Sequence, residues 1–92
     1  AIAPLERAIA LDPHDFSAHV SLDYILARRG EWDKVIAAWD AFLRVEPKHA
    51  QAWLERAGAK KRGGDLKGAR SDLRAACDLG SEEACSHLRR PL

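Results

Sequence analysis

An apolar helical end, an acid and a proline are written twice in this chain at a fixed distance. ALDP stands at 10–13, and VEP, thirty-four residues on, at 45–47. The register holds across two copies without a gap. Leu5, Ala8, Ile9 and Leu11 correspond to Trp39, Phe42, Leu43 and Val45; Ala18 corresponds to Ala52, Gly30 to Gly64, Glu31 to Asp65 and Trp32 to Leu66. Such a period restricts a chain severely. Each unit must be one supersecondary element that cannot bury its own apolar side, so the core has to form between units.

Within each unit the pattern reads as two helices. SAHVSLDYILARR (17–29) carries Ala18, Leu22, Ile25 and Leu26 at helical spacing on one face. Gly30 stops it, because glycine tolerates the left-handed conformation that ends helices. WDKVIAAWDAFLRV (32–45) places Trp32, Val35, Ile36, Trp39, Phe42 and Leu43 on one stripe, and Pro47 cannot continue it. The next unit repeats the scheme with AQAWLERAGAKKR (50–62), the corner Gly63–Gly64 with Asp65 as its cap, and LKGARSDLRAACDL (66–79). Residues 4–11 read as the second helix of an earlier unit. Residues 81–90 read as a new first helix, with Ser81 as cap and Glu82 and Glu83 suited to its positive end. Its connection is two residues shorter, Ala84 taking the part of Ala52. The expected helices are therefore 4–11, 15–29, 32–45, 49–62, 65–79 and 81–90. They group as a partial repeat (1–13), two full repeats (14–47 and 48–80) and a capping or partial helix (81–92). Stacked in order, antiparallel pairs make an all-α, right-handed solenoid.

Ninety-two residues, 47% apolar and 32% charged, suit one small folded domain. A net charge of +1 predicts no strong attraction to nucleic acid. The first 47 residues hold five basic and eight acidic side chains, the remainder ten and six, which is a mild dipole rather than a polybasic tail. No apolar run approaches the roughly 20 residues that cross a bilayer, so membrane insertion is not expected. The chain begins inside a pattern without Met and is read as a segment of something longer. Nothing in it addresses a compartment; the cytoplasm is the default.

Catalysis needs a nucleophile, base and orienter within reach, or a metal. No phosphate loop, nucleophile elbow or H-E-x-x-H occurs. No catalytic residue, cofactor site or metal site is expected. His14, His49 and His87 read as solvent-side, and His19 as a packed ring. A zinc site from Cys77, Cys85 and His87 is disfavoured, since residues two apart on a helix point about 200° from each other. Trp32 and Trp39, seven apart, read as packing between helices. Lys60, Lys61 and Arg62 close a helix, where cations favour the negative end.

These residues resemble the tetratricopeptide repeats, whose thirty-four-residue unit runs W-x-x-L-G-x-x-Y, then Gly, Ala, an aromatic, Ala and Pro. His19, Leu22, Asp23, Leu26, Gly30, Val35, Trp39, Phe42 and Pro47 hold those places in one unit, and Trp53, Arg56, Ala57, Lys60, Gly64, Ala69, Leu73 and Ala76 in the next. The departures are Asp23 at a small position, bulky Val35 and Phe42, charged Arg56 and Lys60, and Gly80–Ser81 in place of the acid–proline ending. RAACDLGSEEACSHL (74–88) is similar to a related branch, the cysteine-rich helical repeats, in which two cysteines eight apart bridge adjacent helices. That likeness implies a disulfide between Cys77 and Cys85; the competing reading is two free cysteines packed at a helix contact.

The resemblance also implies a function. In such solenoids the first helices of successive units line a concave wall, and here that wall would carry Val20, Tyr24, Arg28, Gln51, Leu54, Lys61, Arg62 and Arg90. Val20, Tyr24 and Leu54 then form an apolar strip outside the core, rimmed by cations, suited to a protein or peptide partner with acidic groups or a free carboxylate. Relatives that clamp chaperone carboxyl termini place Lys and Asn on this wall; Val20, Tyr24, Gln51 and Glu55 stand there instead, so that clamp is not expected. The chain is read as a non-catalytic interaction module. The alternatives are a structural segment that self-associates into a homo-oligomer through its end helices, and an accessory segment of a larger enzyme.

Overall fold

Six helices follow one another in the structure, a computed structural model that describes residues 2–90: α1 Ile2–Leu11, α2 Phe16–Arg28, α3 Trp32–Val45, α4 Ala50–Arg62, α5 Leu66–Asp78 and α6 Glu82–Leu88. Residue 1 of the first partial repeat and residues 91–92 of the expected cap lie outside the described residues. Each helix packs chiefly on its neighbours in sequence, giving an all-α solenoid 39 × 26 × 16 Å in extent. Several expected helix ends fall one residue outside the observed ones because those residues are caps. Asp15, Asp65 and Ser81 accept hydrogen bonds from the backbone N–H of Ala18, Gly68 and Ala84. Each satisfies a donor that a helix start leaves free. The expected 81–90 shortens at both ends, Ser81 being the cap and Arg89 the closing residue.

The corners are of two kinds. At Gly30 and Gly64 the backbone φ is +70° and +97°, a region that side chains with a Cβ rarely adopt. Each glycine N–H bonds back three residues, and the N–H of the following residue bonds back five: Gly30 to Ala27 and Glu31 to Leu26, Gly64 to Lys61 and Asp65 to Lys60. This double bond pair satisfies carbonyls that the helix end would orphan. The α5–α6 connection uses the same device, with Ser81 bonding to Ala76. The other corners carry Pro13 and Pro47. A contact of 2.8 Å between His14 Nδ1 and Glu46 Oε2 ties these two together.

Two apolar clusters fill the slab. The first contains Leu22, Leu26, Val35, Trp39, Phe42, Leu43, Ala52 and Ala59; the second contains Leu54, Ala57, Leu73, Ala76 and Ala84. Val35 and Phe42, bulky where the repeat pattern is small, are fully buried, and such burial contributes about 1.5–3 kcal/mol per side chain. Trp39 Nε1 donates to Asp23 Oδ2 at 2.7 Å, so the acid at a small position serves a buried indole. His19 is buried, its Nδ1 2.9 Å from the Asp15 carbonyl and its ring edge-on to Phe42.

Arg56 and Lys60 occupy the places of Leu22 and Leu26, and α4 accommodates them by pairing. Arg56 donates through Nε and Nη2 to both carboxylate oxygens of Asp72, each at 2.8 Å, and through Nη1 to Asp40 at 2.6 Å. Lys60 Nζ lies 3.2 Å from Asp72, which is 2% exposed. Lys60 keeps the place expected for it in the last turn of α4 and also turns its charge inward onto α5. Arg56 is held in its charged form above the ordinary arginine range, chiefly by its hydrogen bond with Asp72, against the opposing effect of burial. The planar guanidinium also lies 4.8 Å from the Trp53 ring.

Candidate binding groove

A concave groove of about 620 Å³ opens between α2, α4 and α6, floored in part by α5. Its floor is made by the buried Leu54, Ala57, Ala69 and Leu73, brought there by the helical stripes of α4 and α5. Trp32 enters from the start of α3, and the Arg62 guanidinium lies 5.9 Å from its ring centre. Asp23 comes from α2, Glu55 and Lys61 from α4, Glu83 and His87 from α6.

The acids and cations of this groove are differently engaged. Asp23 accepts from Trp39, Glu55 accepts from Gln51 at 2.9 Å, and Glu83 lies 3.7 Å from His87. Lys61 and Arg62 are exposed and have no carboxylate within ion-pair distance among the described residues. Both signs of charge therefore line the groove, and its two cations are not paired with its acids.

The wall expected from the sequence is divided. Leu54, Lys61 and Arg62 line the groove. Leu54 is not an apolar residue outside the core, however; at 9% exposure it belongs to the second cluster and offers only an edge. Val20 and Tyr24 are exposed along α2 and stand outside the groove. Tyr24 is covered by Arg28, which donates to its hydroxyl at 2.9 Å and stacks 5.4 Å from the ring. Gln51 is spent on Glu55, and Arg90, beyond α6, reaches back to Ser86 Oγ at 3.4 Å. The pattern missed Trp32 and His87 as groove residues. Trp32 stands on the stripe of α3 and reads as core, and His87 needs the direction of α6 to be known.

Cys77, in the last turn of α5, and Cys85, in α6, have their Sγ atoms at bonding distance and their Cα atoms 4.8 Å apart. This holds beside α5 the short helix that supplies Glu83 and His87. His49 is not a solvent-side residue: its Nδ1 caps α4 by accepting from Ala52 N–H, and its ring stacks on Phe16 at 4.5 Å. No group of three His, Cys, Asp or Glu side chains that could hold a metal ion occurs among the described residues. No helix of the described residues is long and apolar enough to cross a membrane.

No protein-family model matches the sequence, and no curated protein is significantly similar to it. Solved structures do match. YrrB, described as a TPR protein with an unusual peptide-binding site, superposes with a TM-score of 0.77 over 92% of this chain at 23% identity. MamA 41-end from Desulfovibrio magneticus RS-1 gives 0.73 over 91% at 20% identity, and the MamA RS-1 ArsTM double mutant gives the same values. The chain spans just under half the length of each, 44% for YrrB and 48–49% for the two MamA structures. The fold is that of the tetratricopeptide repeats.

Proposed function

We propose that the chain is a non-catalytic interaction module whose groove receives a protein segment bearing acidic side chains or a free carboxylate. The observation that carries this reading is that Lys61 and Arg62 line the groove beside the edge of Leu54, exposed and with no carboxylate within ion-pair distance among the described residues. The likeness to YrrB, itself described as peptide-binding, supports it. Binding is passive. The helices are already packed, so little ordering entropy opposes association, and the buried floor supplies apolar contact beside Lys61 and Arg62.

A fluorescein-labelled peptide alternating Glu with Val tests the reading by fluorescence anisotropy, with a Lys–Val peptide as the reversed-charge control. Charge-assisted hydrogen bonds are worth about 1.5–3 kcal/mol each. Lys61→Glu with Arg62→Glu should therefore weaken the acidic peptide by about tenfold or more. Unchanged binding by the double variant, or equal affinity for the control, refutes the groove.

A second reading is favoured by one observation. Leu11, Val45 and Leu79 stand at equivalent places in successive repeats and are exposed, Leu11 by 82%. Such a row suits stacking against a second copy. Sedimentation that shows a monomer at all concentrations eliminates it.

A further inference from the structure

Laid on each other residue by residue, the two full repeats differ at one seam. Where α4 stands between α3 and α5, Arg56 reaches Asp40 on one side at 2.6 Å and Asp72 on the other at 2.8 Å, and Lys60 lies 3.2 Å from Asp72. Thirty-four residues earlier α2 stands between α1 and α3, and the places of Arg56, Lys60, Asp40 and Asp72 are taken by Leu22, Leu26, Glu6 and Ala38. These four residues line a cleft of about 440 Å³. A dry cavity of ~150 Å³ already admits a benzene ring, so the cleft has room for side chains from outside. It shares no lining residue with the groove described above.

The cleft has an apolar floor and lacks the cation that its counterpart holds. Leu22 and Leu26 are buried beneath it and Ala38 is half-buried. Three titratable side chains line it: Glu6, His19 and Lys34. Lys34 is engaged by Glu31 at 2.9 Å. His19 gives its Nδ1 proton to the Asp15 carbonyl, so in the neutral ring Nε2 is an acceptor. Glu6, exposed at the equivalent of Asp40, has no basic group within ion-pair distance among the described residues.

From this we infer that the cleft between α1, α2 and α3 is a docking site for an arginine side chain of a partner protein. The partner gives Glu6 the guanidinium that Arg56 gives Asp40 within the chain. Arginine suits both parts of the cleft: its methylene stem lies along Leu22 and Leu26, and its planar fork meets a carboxylate in two parallel hydrogen bonds. The volume also takes an apolar neighbour of that arginine, so the motif is an arginine set between aliphatic residues. The inference is independent of the groove reading, since it uses other residues and a ligand of opposite charge.

The test is an NMR titration of the chain with the blocked tripeptide Leu-Arg-Leu, with Leu-Gln-Leu and Leu-Glu-Leu as controls. The arginine peptide should shift the amide signals of Glu6, Leu22 and Ala38 and bind about fivefold more tightly than either control. Glu6→Gln, at an exposed position, should remove that advantage. Leu22→Arg with Ala38→Asp copies the next repeat into the cleft and should abolish the shifts. If circular dichroism shows that this double variant does not fold, Ala41→Phe, at an exposed lining position, fills the cleft in its place. Equal binding of the three peptides, shifts confined to groove residues such as Glu55 and Glu83, or undiminished binding by a filled variant overturns the inference, whatever the acidic peptide does at the groove. A dimer in sedimentation that the filled variant loses also overturns it, because a second copy then occupies the cleft.

Discussion

Replacing Asp72 by Ala should destabilise the protein far more than an exposed acid would, and copying the preceding repeat should undo the loss. Asp72 is 2% exposed and receives three charge-assisted contacts, two from Arg56 at 2.8 Å and one from Lys60 at 3.2 Å. Removing one partner of a buried ion pair costs about 3–5 kcal/mol. Arg56 retains Asp40, whose side chain is 40% exposed, so the expected loss is at the low end, about 3 kcal/mol. With a urea slope near 1–1.5 kcal/mol/M for a chain of this size, the midpoint falls by about 2 M or more. Thirty-four residues earlier the corresponding places hold Leu22, Leu26 and Ala38. The triple variant Arg56→Leu, Lys60→Leu, Asp72→Ala restores that apolar contact and should lie within about 1 kcal/mol of wild type or above it. Equilibrium urea unfolding followed by circular dichroism reads all four single and combined proteins. Losses that simply add in the triple variant would refute the argument, because they would show that the charges never compensated one another. The sign with pH is fixed as well. Arg56 is raised in the folded state, so its contribution is complete below the unfolded arginine value and is lost only as pH climbs beyond the folded one. The gap between wild type and Asp72→Ala should not narrow on moving from neutral to mildly alkaline buffer.

Two further outcomes are expected. Trp39→Phe keeps a ring in the core but strips the 2.7 Å donor from Asp23; urea unfolding should show a loss of about 1.5–3 kcal/mol, and less than about 0.5 would dismiss the indole bond as a contributor. Alkylation of the unfolded protein without reductant should add no label at Cys77 or Cys85, and reduction should cost about 2–3 kcal/mol by freeing a short loop; two labels before reduction would contradict the pairing.

The helix boundaries were legible because their chemistry is local. Gly30, Gly64, Gly80, Pro13 and Pro47 act on their own backbone, and Asp15, Asp65 and Ser81 reach only three residues ahead. The groove was legible in part. Helical periodicity puts Leu54, Lys61 and Arg62 on one face, yet cannot tell how much of that face the next helix covers, which is why Leu54 proved buried. The polar links across helices were the hardest to see. Arg56 reads as a misfit until its partners are known. A signal does exist: Trp39 to Asp23, Arg56 to Asp40 and Arg56 to Asp72 are each separated by sixteen positions. An acid sixteen residues to either side of a misplaced cation is a mark that the pairing of consecutive helices leaves in a repeat of this length.

The corners at Glu31, Asp65 and Ser81 each serve two masters. Their N–H groups finish the helix behind them, bonding to Leu26, Lys60 and Ala76, and they occupy the cap position of the helix ahead. One extra residue there cannot be absorbed, since lengthening the joint detaches either the closing bond or the opening cap. The proline corners separate those duties over several residues. The angle between successive helices is therefore set most tightly at the glycine corners, where a single residue closes one helix and opens the next.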